Sequence, residues 1–321
     1  MQVLEFEKPI ADLERELEKM RQRAASSRND MSADITALEQ KLHETRKRIY
    51  EGLSSWQRVQ IARHPDRPFM LDYLVHAFDE FRELHGDRRI GDDHAMPCGL
   101  ARLGERRLAV VGHQKGRDTK ENLKRNFGSA HPEGYRKALR IMKLGEKFGL
   151  PVIALIDTPG AYPGIGAEER NIAESIALNL REMMMLRTPI VAVVLGEGGS
   201  GGALGIGVAD RVLMFENAYY SVISPEGCAA ILWKHRKHAP EAAEALRLTA
   251  SDLARLGLID ETLPEPLGGA HRDHQTTAAT LREALERHLA ELTALPTDDL
   301  LERRYKKFRR FGEWAGKEAT A

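Results

Sequence analysis

The chain has 321 residues with 48 basic and 48 acidic side chains, a balance that disfavours nucleic acid or an anionic membrane as its main partner. Hydrophobic residues make up 42 %, but the most apolar stretch, residues 189–195, is far too short to span a bilayer. Two cysteines, Cys98 and Cys228, cannot build a disulfide scaffold or a four-cysteine zinc site, and the N-terminus has acids where a secretory signal has bases, so we expect a cytoplasmic protein.

The first fifty residues predict two helices that pair as an antiparallel hairpin. Apolar residues and one threonine recur at steps of three and four, the spacing of one face of a helix, in two runs: Ile10, Leu13, Leu17, Met20, and then Ile35, Leu38, Leu42, Thr45, Ile49. An interruption near residues 25–29 separates the runs, and Ser32 fits the N-cap of the second helix. The hairpin either covers its own domain or contacts a partner subunit, and the sequence leaves both open.

From residue 98 onward the pattern predicts an α/β core with parallel strands. Residues 152–156 and 190–195 are continuous apolar runs, typical of strands buried on both faces. Strand–loop–helix units in series imply right-handed crossovers between neighbouring parallel strands. The remaining predicted elements are strands at 98–103, 108–112, 212–215 and 220–223, a turn at 104–105, helices at 132–148 and 167–186, helix starts at Ser224 and Pro240, and a charged helical tail from Thr276.

Two loops rich in glycine follow the two buried strands directly. The first, residues 157–164, reads DTPGAYPG, and the second, residues 196–203, reads GEGGSGGA. Five of the eight residues are glycine, whereas a turn needs only one or two. Each additional glycine is costly, because folding must remove its extra backbone entropy. We interpret the loops as bare main chain on which a ligand lies, with free N–H groups of a helix N-terminus facing it. Together they would stabilise a developing oxyanion.

Two other interpretations of these loops compete with this one. Residues 157–160 match the DxxG switch of GTPases, but the phosphate-binding pattern G-x-x-x-x-G-K-[ST] occurs nowhere in the chain. Residues 198–202 match the G-x-S-x-G turn of serine hydrolases, which leaves open a crotonase-fold hydrolase that uses Ser200. The histidines and the aspartate available downstream for such a triad are His235, His238, His271, His274 and Asp260.

Further motifs follow one another in order along the chain. They are GHQKGR at 112–117, NFG at 126–128, PEGYRKA at 132–138, GAEE at 166–169, SVISPEG at 221–227, LWK at 232–234 and PEPLGGAH at 264–271. With the two glycine loops they resemble the carboxyltransferase α-subunit family of multi-subunit acetyl-CoA carboxylases, from Phe6 to Tyr305. Each motif alone is weak, whereas the ordered set is highly specific. Residues 24–32 and the last ten residues match the family less clearly.

The resemblance implies an α/β fold of the crotonase-like (ClpP/crotonase) type, with a spiral core, an N-terminal helical hairpin and C-terminal helices. We expect residues 1–88 to form the hairpin and connecting helices, residues 89–265 the carboxyltransferase core, and residues 266–321 a C-terminal helical extension. The resemblance also implies an α₂β₂ complex in which a zinc-ribbon β subunit carries most of the acetyl-CoA site. No metal is then expected on this chain.

The same resemblance implies transfer of the carboxyl group from carboxybiotin to acetyl-CoA, giving malonyl-CoA in the first committed step of fatty acid synthesis. Met142-Lys143 is followed by Leu144, so the Met-Lys-Met biotinylation motif is absent, and carboxybiotin would arrive on a separate carrier protein. No cofactor is expected to be bound covalently. Biotin carboxylase would be a further partner, and a longer acyl-CoA such as propionyl-CoA is the alternative substrate.

By resemblance, the backbone N–H groups of Gly201 and Gly202 donate to the biotin oxygen, with Gly160 and Ala161 as the adjoining wall. The register is open by one residue. The further substrate-binding candidates are Gly198, Gly199, Ala203, Lys115 and Arg117. The last two belong to a basic stretch with Lys120, Lys124 and Arg125, which is either a solvated face or a contact for CoA phosphates or carrier acids.

Overall fold

A mixed sheet of eight strands organises the structure, a computed structural model that describes residues 2–26 and 30–312. The strands are β1 (Glu80–Glu83), β2 (Cys98–Leu103), β3 (Arg106–Gly112), β4 (Val152–Thr158), β5 (Ile190–Gly199), β6 (Arg211–Phe215), β7 (Tyr219–Ser221) and β8 (Glu261–Leu263). Their order is β1-β2-β3-β4-β5-β6-β8, and β7 pairs with the far end of β5. Strands β1 to β3 pair antiparallel, and the other pairs are parallel.

Helices occupy most of the remaining described chain. They are α1 (Lys8–Ser26), α2 (Ser32–Glu51), α3 (Ser55–Ala62), α4 (Met70–His76), α5 (Thr119–Lys124), α6 (Pro132–Lys147), α7 (Ile165–Glu169), α8 (Ile172–Met185), α9 (Ser200–Leu204), α10 (Pro225–Leu232), α11 (Ala239–Leu246), α12 (Ala250–Arg255), α13 (His274–Thr293) and α14 (Thr297–Arg309). Within residues 2–26 and 30–312, no helix combines the length and the apolar character needed to cross a membrane.

The centre of the fold is formed by β4 and β5, as the two apolar runs predict. All seven residues of β4 and all ten of β5 are buried, because helices and other strands cover both faces of the sheet. The main core draws side chains from Met70 to Leu300 and therefore from all three predicted parts of the chain. The boundaries at 88/89 and 265/266 stay a prediction.

Several predicted elements, β3, β6 and β7 among them, differ from the structure by one or two residues at their ends, and two differences are larger. The single helix predicted at 167–186 is wrong, because α7 and α8 are separate: Asn171 has a left-handed φ of 65°, which an α-helix cannot continue through. The strand predicted at 190–195 runs four residues further, to Gly199, and α9 begins at once with Ser200. Much of the second glycine loop is therefore strand.

The N-terminal hairpin is present, and its predicted apolar face is the packed one. Side chains of α1 and α2 form a small core of their own that also includes Ile61: Ile10, Leu13, Leu17, Leu38, Leu42 and Tyr50. Met31, not Ser32, occupies the N-cap position of α2, and α1 extends through Ser26. Residues 27–29 of the predicted interruption lie outside the described residues.

A buried polar cluster attaches this hairpin to the rest of the protein; we call Glu7, Tyr50, His64 and His271 the hairpin cluster. The Tyr50 hydroxyl donates to Glu7 Oε1 at 2.7 Å, and His271 Nε2 lies 3.6 Å from the same oxygen. The His271 ring stacks on His64 with centroids 4.2 Å apart. The first turn of the chain is thus connected to α2 and to the segment that follows β8.

Candidate active site

The two glycine loops come together at one edge of the sheet. Strands β4 and β5 are parallel neighbours, so their carboxyl ends, where the loops begin, lie side by side. A Cβ atom added to Gly202 would lie 2.4 Å from the Ala161 nitrogen and 2.5 Å from the Gly160 carbonyl carbon. The two loops are therefore in direct backbone contact, and only glycine fits at position 202.

Most of the other loop glycines are also explained by packing within the protein. A Cβ on Gly198 would lie 2.8 Å from the Tyr220 ring, and one on Gly199 would lie 2.2 Å from the Pro159 carbonyl oxygen. Gly201 differs, because the nearest atom to its added Cβ is Ile176 Cδ1 at 3.9 Å. Space for a ligand thus lies beside Gly201, and the glycine density in β5 reflects close backbone packing.

Helix α9 begins where β5 ends and places several backbone N–H groups at this edge. It has five residues, and its N-cap, Gly199, has no side chain to receive a hydrogen bond. The first N–H groups of any helix have no intrahelical acceptor, so those of the first turn are available to an anionic ligand. Ser200 is exposed with φ of 51°, Gly201 is half-buried, and Gly202 and Ala203 are buried.

Beneath the loops lies a chain of buried ion pairs, which we call the loop network: Lys115, Asp157, Glu197 and Arg63. Lys115 Nζ donates to Asp157 Oδ1 and to Glu197 Oε2, both at 2.7 Å. Asp157 Oδ1 also accepts the Glu197 backbone N–H at 2.9 Å, where the β4–β5 register shifts. Burial lowers the pKa of Lys115, but the two carboxylates outweigh this and raise it.

The far side of Glu197 is held by side chains that the sequence did not indicate. Arg63 Nε and the Tyr219 hydroxyl both donate to Glu197 Oε1 at 2.7 Å, and Arg63 Nη1 donates to Glu226 at 2.5 Å. Burial raises the pKa of Glu197, but Lys115 and Arg63 bring it down to about 2. The one available signal was that two acids at the ends of buried strands require cationic partners.

The predicted ligand contacts of Lys115 and Arg117 gain no support from their surroundings. The Lys115 ammonium is occupied by its two carboxylates, and only 12 % of its side chain is exposed. Arg117 lies over the Phe69 ring at 4.0 Å and donates to the Pro65 carbonyl oxygen at 2.6 Å. Both side chains stabilise the protein around the site, and their contact with substrate stays a prediction. Lys120 and Lys124 are exposed.

In the part of the chain that the structure describes, Ser200 lacks the histidine base of a serine-hydrolase catalytic triad. Within residues 2–26 and 30–312, no histidine forms a hydrogen bond with its hydroxyl, and the downstream histidines are engaged elsewhere. His271 stacks on His64, His274 Nε2 bonds the Asp66 carbonyl oxygen at 2.7 Å, and His238 lies 3.2 Å from Glu241. Ser200 therefore has no base beside it, and the geometry favours the backbone site over the nucleophile.

One cluster outside the site has the residue types of a metal site. Glu7, His64 and His271 bring three ligand-type atoms within 4.8 Å of one another. However, both ring nitrogens of His64 already bond backbone groups, at 2.8 and 3.1 Å. The Arg272 guanidinium also lies 3.6 Å from Glu7 Oε1 and supplies positive charge there. The cluster is better suited to connecting chain segments than to binding a cation.

An apolar groove and an apolar surface adjoin the backbone site. A cavity of about 310 Å³ opens beside α9 and is lined chiefly by Ser200, Gly201, Leu204, Tyr220, Val222 and Phe308. Val222 is 78 % exposed, and Ile231, Leu232 and Trp233 at the end of α10 are exposed as well. Large exposed apolar patches mark ligand grooves and contacts between proteins.

An open α/β sheet whose two glycine loops meet at its carboxyl edge is typical of the crotonase-like fold class. A sequence profile described as "Acetyl co-enzyme A carboxylase carboxyltransferase-like" matches residues 3–312. The chain belongs to this family, which confirms the family resemblance of the ordered motifs.

Full-length relatives narrow the match within that family. A protein named acetyl-coenzyme A carboxylase carboxyl transferase subunit alpha from Gemmatimonas aurantiaca is 58 % identical over 315 residues, covering 97 % of this chain and 98 % of the relative. Proteins of the same name from Geobacter metallireducens and Thermus thermophilus are 57 % and 55 % identical, each over 97 % of this chain and 98 % and 99 % of the relative. The match extends through the hairpin, the core and α14.

Solved structures confirm the predicted fold class. Transcarboxylase 12S superposes with a TM-score of 0.56 at 20 % identity, covering 71 % of this chain and 43 % of that one. A Pseudomonas malonate decarboxylase hetero-tetramer gives 0.56 at 18 % identity, with coverage of 69 % and 91 %. At such low identity the likeness establishes the α/β crotonase-like fold alone.

Proposed function

We propose that this chain is the α subunit of a carboxyltransferase that transfers the carboxyl group from carboxybiotin to acetyl-CoA, giving malonyl-CoA. The observation that carries the proposal is the contact between Gly202 and the Gly160–Ala161 backbone, which supports a backbone site shared by the two glycine loops and the first turn of α9. Sequence identity near 57 % over almost the whole chain supports the same assignment.

The proposed chemistry needs little from side chains. Decarboxylation of carboxybiotin leaves a ureido nitrogen basic enough to take a proton from the acetyl methyl group, and the resulting enolate captures CO₂. The N–H groups of Gly201 and Gly202, or of Ala203 if the register is one residue later, donate to the ureido oxygen. Gly160 and Ala161 form the wall that excludes water on the other side. The backbone N–H dipoles are preorganised towards the negative charge that develops in the transition state, and this accelerates the reaction.

The second half of the site is proposed to come from a partner. The groove beside Gly201 is open, Val222 in its lining is exposed, and Leu232 and Trp233 at the end of α10 expose further apolar surface. A zinc-ribbon β subunit that covers this surface in an α₂β₂ complex would bury the groove and bring acetyl-CoA to α9. The carboxybiotin would arrive on a carrier protein charged by biotin carboxylase, in the cytoplasm.

Reconstitution from separate subunits tests the proposal. The purified chain alone should be nearly inactive in biotin-dependent decarboxylation of malonyl-CoA, and addition of the β subunit should restore turnover by several orders of magnitude. Comparison of acetyl-CoA with propionyl-CoA as carboxyl acceptor in the assembled enzyme decides between the two substrates. Full activity from the isolated chain would show that the site is not shared between subunits.

A further inference from the structure

Helix α9 is too short to fix its own orientation. It has five residues, two of them glycine, and Ser200 at its start has a left-handed backbone. A helix of this length gains few internal hydrogen bonds for the backbone freedom it loses, and glycine raises that cost. Something outside α9 must therefore set the direction of its first-turn N–H groups.

Two buried side chains from neighbouring helices bond to the carbonyl groups of this segment. The Tyr135 hydroxyl, on α6, donates to the Gly202 carbonyl oxygen at 3.0 Å. Asn179 Nδ2, on α8, donates to the Gly205 carbonyl oxygen at 3.0 Å and to the Tyr135 carbonyl oxygen at 3.1 Å. Tyr135 and Asn179 are both 0 % exposed. The carbonyl groups of Gly202 in α9 and of Gly205 just after it are thus held by side chains from two longer helices, α6 and α8.

The Tyr135 ring also fits closely against the same segment. A Cβ on Gly205 would lie 2.7 Å from the ring, so Gly205 permits the close approach. Burial raises the pKa of the Tyr135 hydroxyl, and the nearby Asp93 charge adds to this. The hydroxyl therefore stays protonated, and remains a donor, across the working range of pH.

A fixed carbonyl fixes the N–H group on the same peptide plane. The peptide unit is planar and trans, so the Gly202 carbonyl and the Ala203 N–H point in opposite directions. With the carbonyl oxygen bonded to Tyr135 inside the protein, the Ala203 N–H points away from Tyr135. The N–H groups of residues 201–203 run in the same sense because they belong to one helical turn.

We infer that Tyr135 is a positioning residue: its hydroxyl, through the Gly202 carbonyl, aims the N–H groups of α9 at the oxyanion. This inference rests on the proposed function, because it concerns the same backbone donors. Such donors are effective because they are preorganised. If the N–H groups of α9 are less firmly oriented, the rate should fall even though no group that touches substrate has been removed. Asn179 supports the same orientation from α8.

The test is Tyr135→Phe in the assembled α–β enzyme. Phenylalanine keeps the ring against Gly205 and removes only the hydroxyl. We expect kcat for carboxyl transfer to fall about 10- to 100-fold, less than the loss of a whole oxyanion donor, with KM for acetyl-CoA changed less than twofold. The matched control is Tyr73→Phe, because Tyr73 is also 0 % exposed but its hydroxyl has no hydrogen-bond partner in the described structure. Its kcat should match the wild type.

Two further measurements keep the outcome decisive. If Tyr135→Phe fails to assemble, Asn179→Ala removes the second bond from another helix, and the same selective loss of kcat is expected. A double-mutant cycle with Gly201→Ala should be non-additive, because both changes act on one helix. Wild-type kcat in Tyr135→Phe beside a slow Gly201→Ala overturns the positioning role alone, whereas wild-type kcat in both overturns the proposed backbone site.

Discussion

The loop network and the hairpin cluster are both buried and polar, but they are built differently. In the loop network, each charge has a partner of opposite sign within 2.7 Å, and the carboxylates of Asp157 and Glu197 share one ammonium. In the hairpin cluster, His271 approaches Glu7 only to 3.6 Å, and neither of its ring nitrogens has a closer hydrogen-bond partner in the described structure. The strands below the site are thus held by close ion pairs, whereas the hairpin cluster is held by a hydrogen bond from Tyr50 to Glu7 and a longer contact between His271 and Glu7.

The loop network should be the more sensitive of the two to loss of one member. Lys115→Met leaves Asp157 and Glu197 facing each other in the interior with their common cation removed. Breaking a buried ion pair typically costs about 3–5 kcal/mol, and we expect the free energy of unfolding to fall by that amount. Lys120→Met is the control, because Lys120 is exposed in the same basic stretch. A loss below about 1 kcal/mol in a denaturant titration would contradict the structural role of the network.

Variants at Gly202 and Gly201 distinguish the effect of backbone packing from that of ligand contact in the second glycine loop. Gly202→Val drives a branched side chain into the Gly160–Ala161 backbone, so it should destabilise the chain and reduce carboxyl transfer at least about 100-fold. Gly201→Ala adds a methyl group into open space and should leave the unfolding midpoint unchanged while slowing transfer. Parallel thermal melts and transfer rates give both effects. Equal melting and equal rates for the two variants would show that the loops do not meet as described.

In the hairpin cluster, ionisation of Glu7 should make the stability of the fold depend on pH. Burial raises the pKa of Glu7, but the His271 ring 3.6 Å away and hydrogen bonds from the Tyr50 hydroxyl and the Leu4 backbone N–H outweigh it and lower the pKa from 4.5 to about 2. The ionised carboxylate therefore stabilises the fold above pH 4.5, and this contribution is lost as the pH falls towards 2.

Glu7→Gln should remove that contribution. We expect the variant to be less stable than the wild type at pH 7 by up to about 3 kcal/mol, with the difference shrinking as the pH falls below 4.5. Glu5→Gln is the control, since the Glu5 side chain is 89 % exposed on the same turn. Unfolding free energies at pH 7 and pH 3.5 give the comparison. A Glu7→Gln deficit that is equal at both values would show that Glu7 acts through packing alone.

The sequence predicted the elements that have a clear hydrophobic pattern, but it did not indicate contacts between residues that are distant in the chain. Strand β2 was predicted at its observed ends and β4 and β5 in their apolar parts, because buried strands read as continuous apolar runs. Strand β1 was not predicted, since three of its four residues are charged and the strand is only partly buried. Arg63 and Tyr219 reach Glu197 from positions far away in the chain, so no local pattern indicates them. The hydroxyl of Tyr135 acts on Gly202, 67 positions later, in the same way.

The smallest effect is expected at Ser200, which separates the backbone site from a serine nucleophile. Its side chain is exposed and no histidine bonds it in the described structure, so Ser200→Ala should keep most of the carboxyl-transfer rate. Ser200→Gly should keep the rate as well and gain up to about 1 kcal/mol of stability, because glycine adopts the φ of 51° at Ser200 without strain. Rates of the two assembled variants, measured beside their thermal melts, give the comparison. A drop of several orders of magnitude in both, with the complex intact, would instead identify Ser200 as the reacting group, since only the hydroxyl is lost in common.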